Sequence, residues 1–474
     1  MSLAKLILLL SLQLFLGGNC EAHGFGQRYD LPLPLWLYLI GAALTVALSF
    51  AFLVRRKQDV RSSPHIHSGG LIQFRPPGTG LFLFLLRLMV LVLYLLVIAA
   101  AYLGVQNPVK NIAPAMIWAV WWVGMAYLSA LVGNVWELVN PLDSMFRCFE
   151  WLWQVASGKQ TRALLPNSPR LGVWPASVLF FLFIWMELEW EGSEQPARLA
   201  TAMLAYSALS WLGMIVYGRA VWLQHGEVFN VVFSLLARFA PNCWQQGQWS
   251  VRPYAVGLLS EKPLGMSHIV LVMLMLSSVS FDGVLETQSW LDLNQALVIA
   301  LPASLVTHSK TLALLIFPTV FLLVFLACCR LIAWCGKSES LPPASTLQTA
   351  GLYVLSLVPI SIAYHFAHYL SFLAMAVQYL IPLASDPFAL GWDLFGTKLY
   401  FIRLGVVDAR MVWYVSLFAI VAGHVAAVYL AHITSMRQFR NQESATRSQY
   451  PMLALMVAYT LLSLWIISQP IVTG

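Results

Sequence analysis

The sequence predicts an all-α membrane protein, a polytopic bundle of about ten transmembrane helices behind a cleaved signal peptide. Three observations carry that reading. Of 474 residues, 59% are hydrophobic and only 10% charged. A soluble globular chain carries roughly 25% charged residues, and charge is what hydrocarbon rejects. Apolar runs of about 20 residues recur, long enough to cross a bilayer as helices, which satisfy every backbone group internally. With the mature N-terminus outside, the inner loops hold 18 of the 27 Lys and Arg and the outer segments hold 7. That excess is the positive-inside bias. It puts both termini on the outer side and makes the lipid bilayer the chain's first partner. The net charge of +7 belongs to this bias and gives no sign of nucleic acid.

Residues 1–22 read as the signal peptide. Lys5 gives the basic start, Leu6 to Leu16 the apolar run, and Cys20-Glu21-Ala22 the small residues before a cut. The mature chain, 23–474, then begins at His23 and forms a single helical domain. Its turn-rich lead-in runs to Trp36. Span one, near 35–54, is stopped by Arg55, Arg56, Lys57 and Arg61, which mark the inner face. Span two, near 81–104, carries Arg87, placed to snorkel towards the inner interface or to pair with a buried acid. Span three is near 114–133 and is rich in tryptophan; span four, near 173–189, ends outside among Glu187, Glu189, Glu191 and Glu194. Span five is near 199–218. An inner segment follows with His225-Gly226-Glu227 and an amphipathic run, Val228 to Phe239, expected to lie in the interface. Spans six to ten are near 264–281, 311–334, 347–381, 411–433 and 451–470. Cys20, Cys148, Cys243, Cys328, Cys329 and Cys335 show no metal-clip spacing, and their placement argues against a disulfide framework.

The candidate chemistry lies in spans eight and nine. His365 and His368 sit three residues apart, about one helical turn. His424 lies at a similar depth in the next span, flanked by Gly423, Ala426 and Ala427, which permit close helix approach. Pro359 can kink span eight just before the pair. Ionisable groups at membrane depth are costly and usually functional. Three imidazoles suit a transition metal such as Zn or Cu, and Zn held by three His with an open position turns water into a nucleophile. Asp282, at the outer end of span six, would then be a base or a support for the ligands. Two other readings stand beside this one. The histidines can hydrogen-bond to Tyr364, Tyr369, Tyr429 or carbonyls between helices, or His424 with His365 or His368 can bind a b-type haem. The α-amine and imidazole of His23 form a further candidate copper site. Glu187, Glu189 and Asp386 are outer acids able to gather cations. His432 lies deeper and outside the cluster, and His65 and His67 read as solvated.

The lead-in His23 to Trp36, the stretch Leu131-Val-Gly-Asn134-Val-Trp136 with Asn140-Pro141, the segment Ala363 to Tyr369, and Gln378-Tyr-Leu-Ile-Pro382-Leu-Ala-Ser385-Asp386-Pro387 form a recognisable set. Together they resemble bacterial multipass membrane proteins of the fenitrothion hydrolase type, with Leu142 where that pattern has Trp. The resemblance covers most of the chain. It implies a bacterial inner membrane and hydrolysis of a small lipophilic organophosphorus triester. A metal or copper carrier, or a haem or metal redox protein, is the alternative, and a partner subunit is possible in either case.

Overall fold

The computed structural model describes residues 32–55, 72–74, 79–165, 171–245, 248–260, 262–300, 302, 306, 308–337, 345–403, 408–439 and 441–469. The expected signal peptide, His23, His65 and His67 lie outside them. The described residues form an all-α bundle, with nine helices long and apolar enough to cross a membrane. They are α1 (Leu35–Arg55), α2 (Gly80–Leu103), α3 (Ile112–Leu131), α7 (Pro196–Tyr217), α10 (Met266–Leu285), α12 (Ser309–Cys335), α13 (Thr346–Ser385), α14 (Ala409–Gln438) and α15 (Gln442–Ser468). Each overlaps a span expected from the sequence. Between them lie α4 (Val135–Val139), α5 (Pro141–Ser157), α6 (Trp174–Leu188), α8 (Arg219–His225), α9 (Val228–Ala237) and α11 (Gln288–Ala300). The α15 helix begins well before the expected 451, carrying Pro451 inside it.

Two spans are far more buried than the rest. In the apolar stretches of α13 and α10 most residues are buried by protein, whereas few are in α2. These two spans form the spine. The α13 helix packs against α14, α3 and α10, while α14 and α15 close the other side against α1. Gly423 makes the α13–α14 approach possible: a Cβ there would stand 2.5 Å from Ala363 Cβ and 2.8 Å from the Pro359 carbonyl oxygen. Just before Pro359 the helix tightens to a 3₁₀ turn, Val354–Leu357. Proline brings no amide hydrogen to the ladder, so the irregularity expected there takes this form.

The α6 helix has 15 residues. At 1.5 Å per residue that reaches about 22 Å, short of a hydrocarbon core of roughly 30 Å. Its last turn therefore ends beside the flank of longer neighbours. The α3 helix is π-helical over Ala115–Gly124, a wide form found often at functional sites. Arg87 is satisfied by a backbone acceptor: its Nε donates to the Leu138 carbonyl at 2.7 Å.

The amphipathic run after His225 differs from the expectation. It does not lie on a surface. Eight of the ten α9 residues are buried, Phe229, Val232 and Phe233 among them. With α8 it forms a pair bent by 61°, a broken or re-entrant element. Glu227 occupies the break. Its carboxylate accepts from the amides of Phe229 (3.4 Å) and Asn230 (2.7 Å), from Trp136 Nε1 (3.3 Å) and Asn140 Nδ2 (3.2 Å), and from the Tyr206 hydroxyl. Exposed helix starts need such an acceptor, and a buried one needs it more, so the polar hub draws the apolar run inward. A small antiparallel sheet, β1 (Ile72–Phe74), β2 (Asn242–Gln245) and β3 (Gln248–Val251) in the order β1-β3-β2, ties the loops at the same end.

Candidate functional site

The middle of α13 carries His365 and His368, and the structure sends them to different neighbours. Three residues on a helix advance by about 300°, leaving the two side chains roughly 60° apart. His368 turns to α10, where its Nε2 lies 2.8 Å from Asp282 Oδ2. His365 turns to α3, packing edge-on to Trp122 and Tyr127. Its Nε2 is buried without a hydrogen-bond partner. His424 points to neither. Its Nδ1 lies 2.8 Å from the Ile420 carbonyl of its own helix, and its Nε2 is buried and unpartnered.

The metal-ligand set expected from His365, His368 and His424 is therefore not assembled. Among the described residues, no group of three or more His, Cys, Asp or Glu side chains is arranged to hold a metal ion. Equal depth on adjacent helices was not sufficient, because ring direction decides ligation. His432 is apart from the group, as expected, with its Nδ1 2.8 Å from Gln449 Oε1.

What does assemble is a half-buried acid–base network around Asp282. Tyr369, next to His368, brings its hydroxyl within 2.9 Å of Asp282 Oδ2 and 3.1 Å of Glu187 Oε1. Trp122 Nε1 donates to the same Glu187 oxygen at 3.0 Å. Four elements thus meet: α10 through Asp282, α13 through His368 and Tyr369, α6 through Glu187, and α3 through Trp122. Glu187 stands in the last turn of α6, where it meets Tyr369 of α13. Gly283 gives the close fit at the centre, since a Cβ there would stand 2.7 Å from the Tyr364 hydroxyl. Tyr364 in turn stacks on His368 with ring planes 9° apart.

Hydrogen counting shows what the network can do. A phenol has one proton to donate, so Tyr369 satisfies one carboxylate as donor. Its second short contact is favourable when that carboxyl is itself protonated and donates to the phenol oxygen. The arrangement is a place where a proton has several neighbouring seats within hydrogen-bond distance.

Sequence reading singled out Asp282 and His368 and missed that they pair directly. It named Glu187 only as one of several outer acids. Trp122 carried no signal beyond a tryptophan-rich span, and Tyr369 was noted only as a possible partner for histidine.

The fold and this network define the class: an all-α, multi-pass membrane protein with an ionisable cluster within its spans. No family model matches the chain, and neither a curated protein nor a solved structure does.

Proposed function

We propose that the protein handles protons within the membrane, with His368, Asp282, Tyr369 and Glu187 as a relay reached from the outer face. One observation carries this reading: the Tyr369 hydroxyl stands between two half-buried carboxylates, one of them also bonded to His368. Chains of Asp, Glu and His at membrane depth are the usual material of proton relays in pumps and transporters. Infrared difference spectra of the protein in nanodiscs test it. Changing pH from about 5 to 8 is expected to give a carboxyl C=O band that Glu187→Gln or Asp282→Asn removes. A wild-type spectrum with no titrating carboxyl band rejects the relay.

The second reading is hydrolysis of a lipophilic organophosphorus triester, as the resemblance implies. The Asp282–His368 pair favours it, because a carboxylate orienting an imidazole is a general-base arrangement. His368 would take a proton from water, the hydroxide would attack phosphorus, and the phenolate would leave. No step is assigned to a metal, since the three histidines are not placed as a ligand set. Hydrolysis of a nitrophenyl phosphotriester that survives chelators and is lost in His368→Ala supports this reading. Absence of turnover rejects it.

A further inference from the structure

The chain between α13 and α14 falls between two expected spans, where an aqueous loop would be the ordinary course. The structure folds it back instead. After Ser385 it turns at Asp386, whose carboxylate accepts from the amides of Leu390 (2.9 Å) and Gly391 (2.6 Å). It then descends the flank of α13 as an irregular strap. The Leu394 and Phe395 amides bond to Ser385, and the Thr397 hydroxyl donates to the Ile381 carbonyl at 2.8 Å. Arg403 closes the strap on Gln378. Its amide donates to Gln378 Oε1 at 3.0 Å, and Gln378 Nε2 donates to its carbonyl at 3.2 Å. From Ser385 back to Gln378 is about 10 Å along the helix axis.

Those last turns of α13 stand level with the end of a lipid-facing span. Leu383 packs with Ala100 of α2 and Ile112 of α3, and the Val105 amide, just past α2, donates to the Phe388 carbonyl at 3.2 Å. The α2 helix has 24 residues, about 36 Å against a hydrocarbon core of roughly 30 Å. Its end at Leu103 therefore marks the membrane surface, and the strap descends from there. Along it Phe395, Leu399 and Phe401 are 70%, 94% and 84% exposed. Contiguous apolar surface of this kind marks a membrane or a protein partner. Three observations choose the membrane. The descent matches the depth at which interfacial segments sit, about 5–10 Å. Trp392, Lys398, Tyr400 and Arg403 are the residue types that anchor a protein at the membrane–water interface. The amides of Leu394, Phe395, Lys398, Tyr400 and Arg403 are bonded within the protein, Lys398 to Asp393 Oδ1 at 3.0 Å, as apolar surroundings demand.

We infer that the strap, Leu394–Arg403, is seated in the membrane–water interface, with Phe395, Leu399 and Phe401 inserted among the lipid acyl chains of the leaflet at that end of the bundle. This seat does not depend on proton transfer at Asp282. A second copy of the chain pressed on the same side chains is the competing occupant.

Nitroxide labels on the full-length protein in phosphatidylcholine nanodiscs test this. Cys20, Cys148, Cys243 and Cys335 are changed to serine, and the buried Cys328 and Cys329 are kept. Labels are placed at Leu399→Cys and Phe401→Cys, whose exposed positions mean that little packing is lost. Glu191→Cys, exposed between α6 and α7, is the aqueous reference, and Leu95→Cys, 48% exposed on α2, is the lipid reference. Power saturation is read with oxygen, which concentrates in lipid, and with a neutral nickel chelate, which stays in water. At both strap positions oxygen collisions should exceed those at Glu191→Cys and approach those at Leu95→Cys. Nickel collisions should be lower than at Glu191→Cys by about threefold or more. Nickel collisions as frequent as at Glu191→Cys, at either position, would overturn the inference by placing the strap in water. Infrequent collisions with both reagents would also overturn it, because the side chains would then press on protein, a second copy or another subunit.

Discussion

Asp282, half-buried on α10, and Glu227, fully buried at the start of α9, are both carboxylates among apolar neighbours, and each is kept by its hydrogen bonds. A buried polar group that loses its partner costs about 1–3 kcal/mol. Asp282→Ala leaves His368 Nε2 and the Tyr369 hydroxyl without their shared acceptor, although Glu187 remains in reach of Tyr369. We expect a loss of about 2–4 kcal/mol, read as a lower unfolding midpoint in mixed micelles, with Asp282→Asn much milder because one acceptor oxygen remains. Glu227→Ala is expected to be worse, about 3 kcal/mol or more. It strands two α9 amides together with Trp136, Asn140 and Tyr206. If Glu227→Ala melts like the wild type, the hub described here does not hold α9 in place.

At the scale of elements, the site depends on how closely α13 lies to its neighbours. Gly423 and Gly283 are two points beside the middle of α13 where a side chain has no room. Gly423→Leu must separate α13 from α14 against Ala363 and the Pro359 carbonyl, and overpacking of this kind costs about 1–3 kcal/mol. The expected result is a lowered unfolding midpoint. Gly423→Ser should fall between glycine and leucine. Equal midpoints for all three would mean that the helices stand further apart than described. The bent pair α8–α9 carries its own lesson. A hydrophobic stripe marks a helix that wants burial, but lipid and protein cover it equally well by that measure. Glu227 tips the choice, because its five donors come from α4, α7, α9 and the Asn140 turn, and the bilayer offers none.

At the scale of the molecule, the arginine-rich end is predicted to face the cytoplasm. Cys148 is exposed on α5 at that end, while Cys328 and Cys329 are buried. A membrane-impermeant maleimide should therefore label Cys148 in inverted vesicles and leave it unlabelled in right-side-out ones, with Cys328 and Cys329 unreactive in both. Labelling of Cys148 from the outer side would reverse the assigned orientation and place the His368–Asp282 network nearer the cytoplasmic face.

Most of the architecture was legible in the sequence, because a membrane span is decided by local composition. Twenty apolar residues without charge cross the bilayer whatever their neighbours are, and α1, α2, α3, α7, α10 and α12 to α15 each overlap an expected span. Gly423 could be named in advance for the same reason: small residues permit close approach wherever helices meet. The site was only half legible. Ionisable residues in apolar runs stand out, so Asp282 and His368 were found, together with His365 and His424. Which of them meet depends on helix rotation, on the ends of α6, and on a π-helical stretch in α3, none of which periodicity reveals. Only the tertiary structure turned His365 and His368 to opposite tasks, bonded His424 to its own helix, and brought Glu187 and Trp122 to Tyr369. The physical reason is that solvation by lipid is a property of each segment alone, whereas hydrogen bonding between segments requires distances and directions that exist only once the helices have packed.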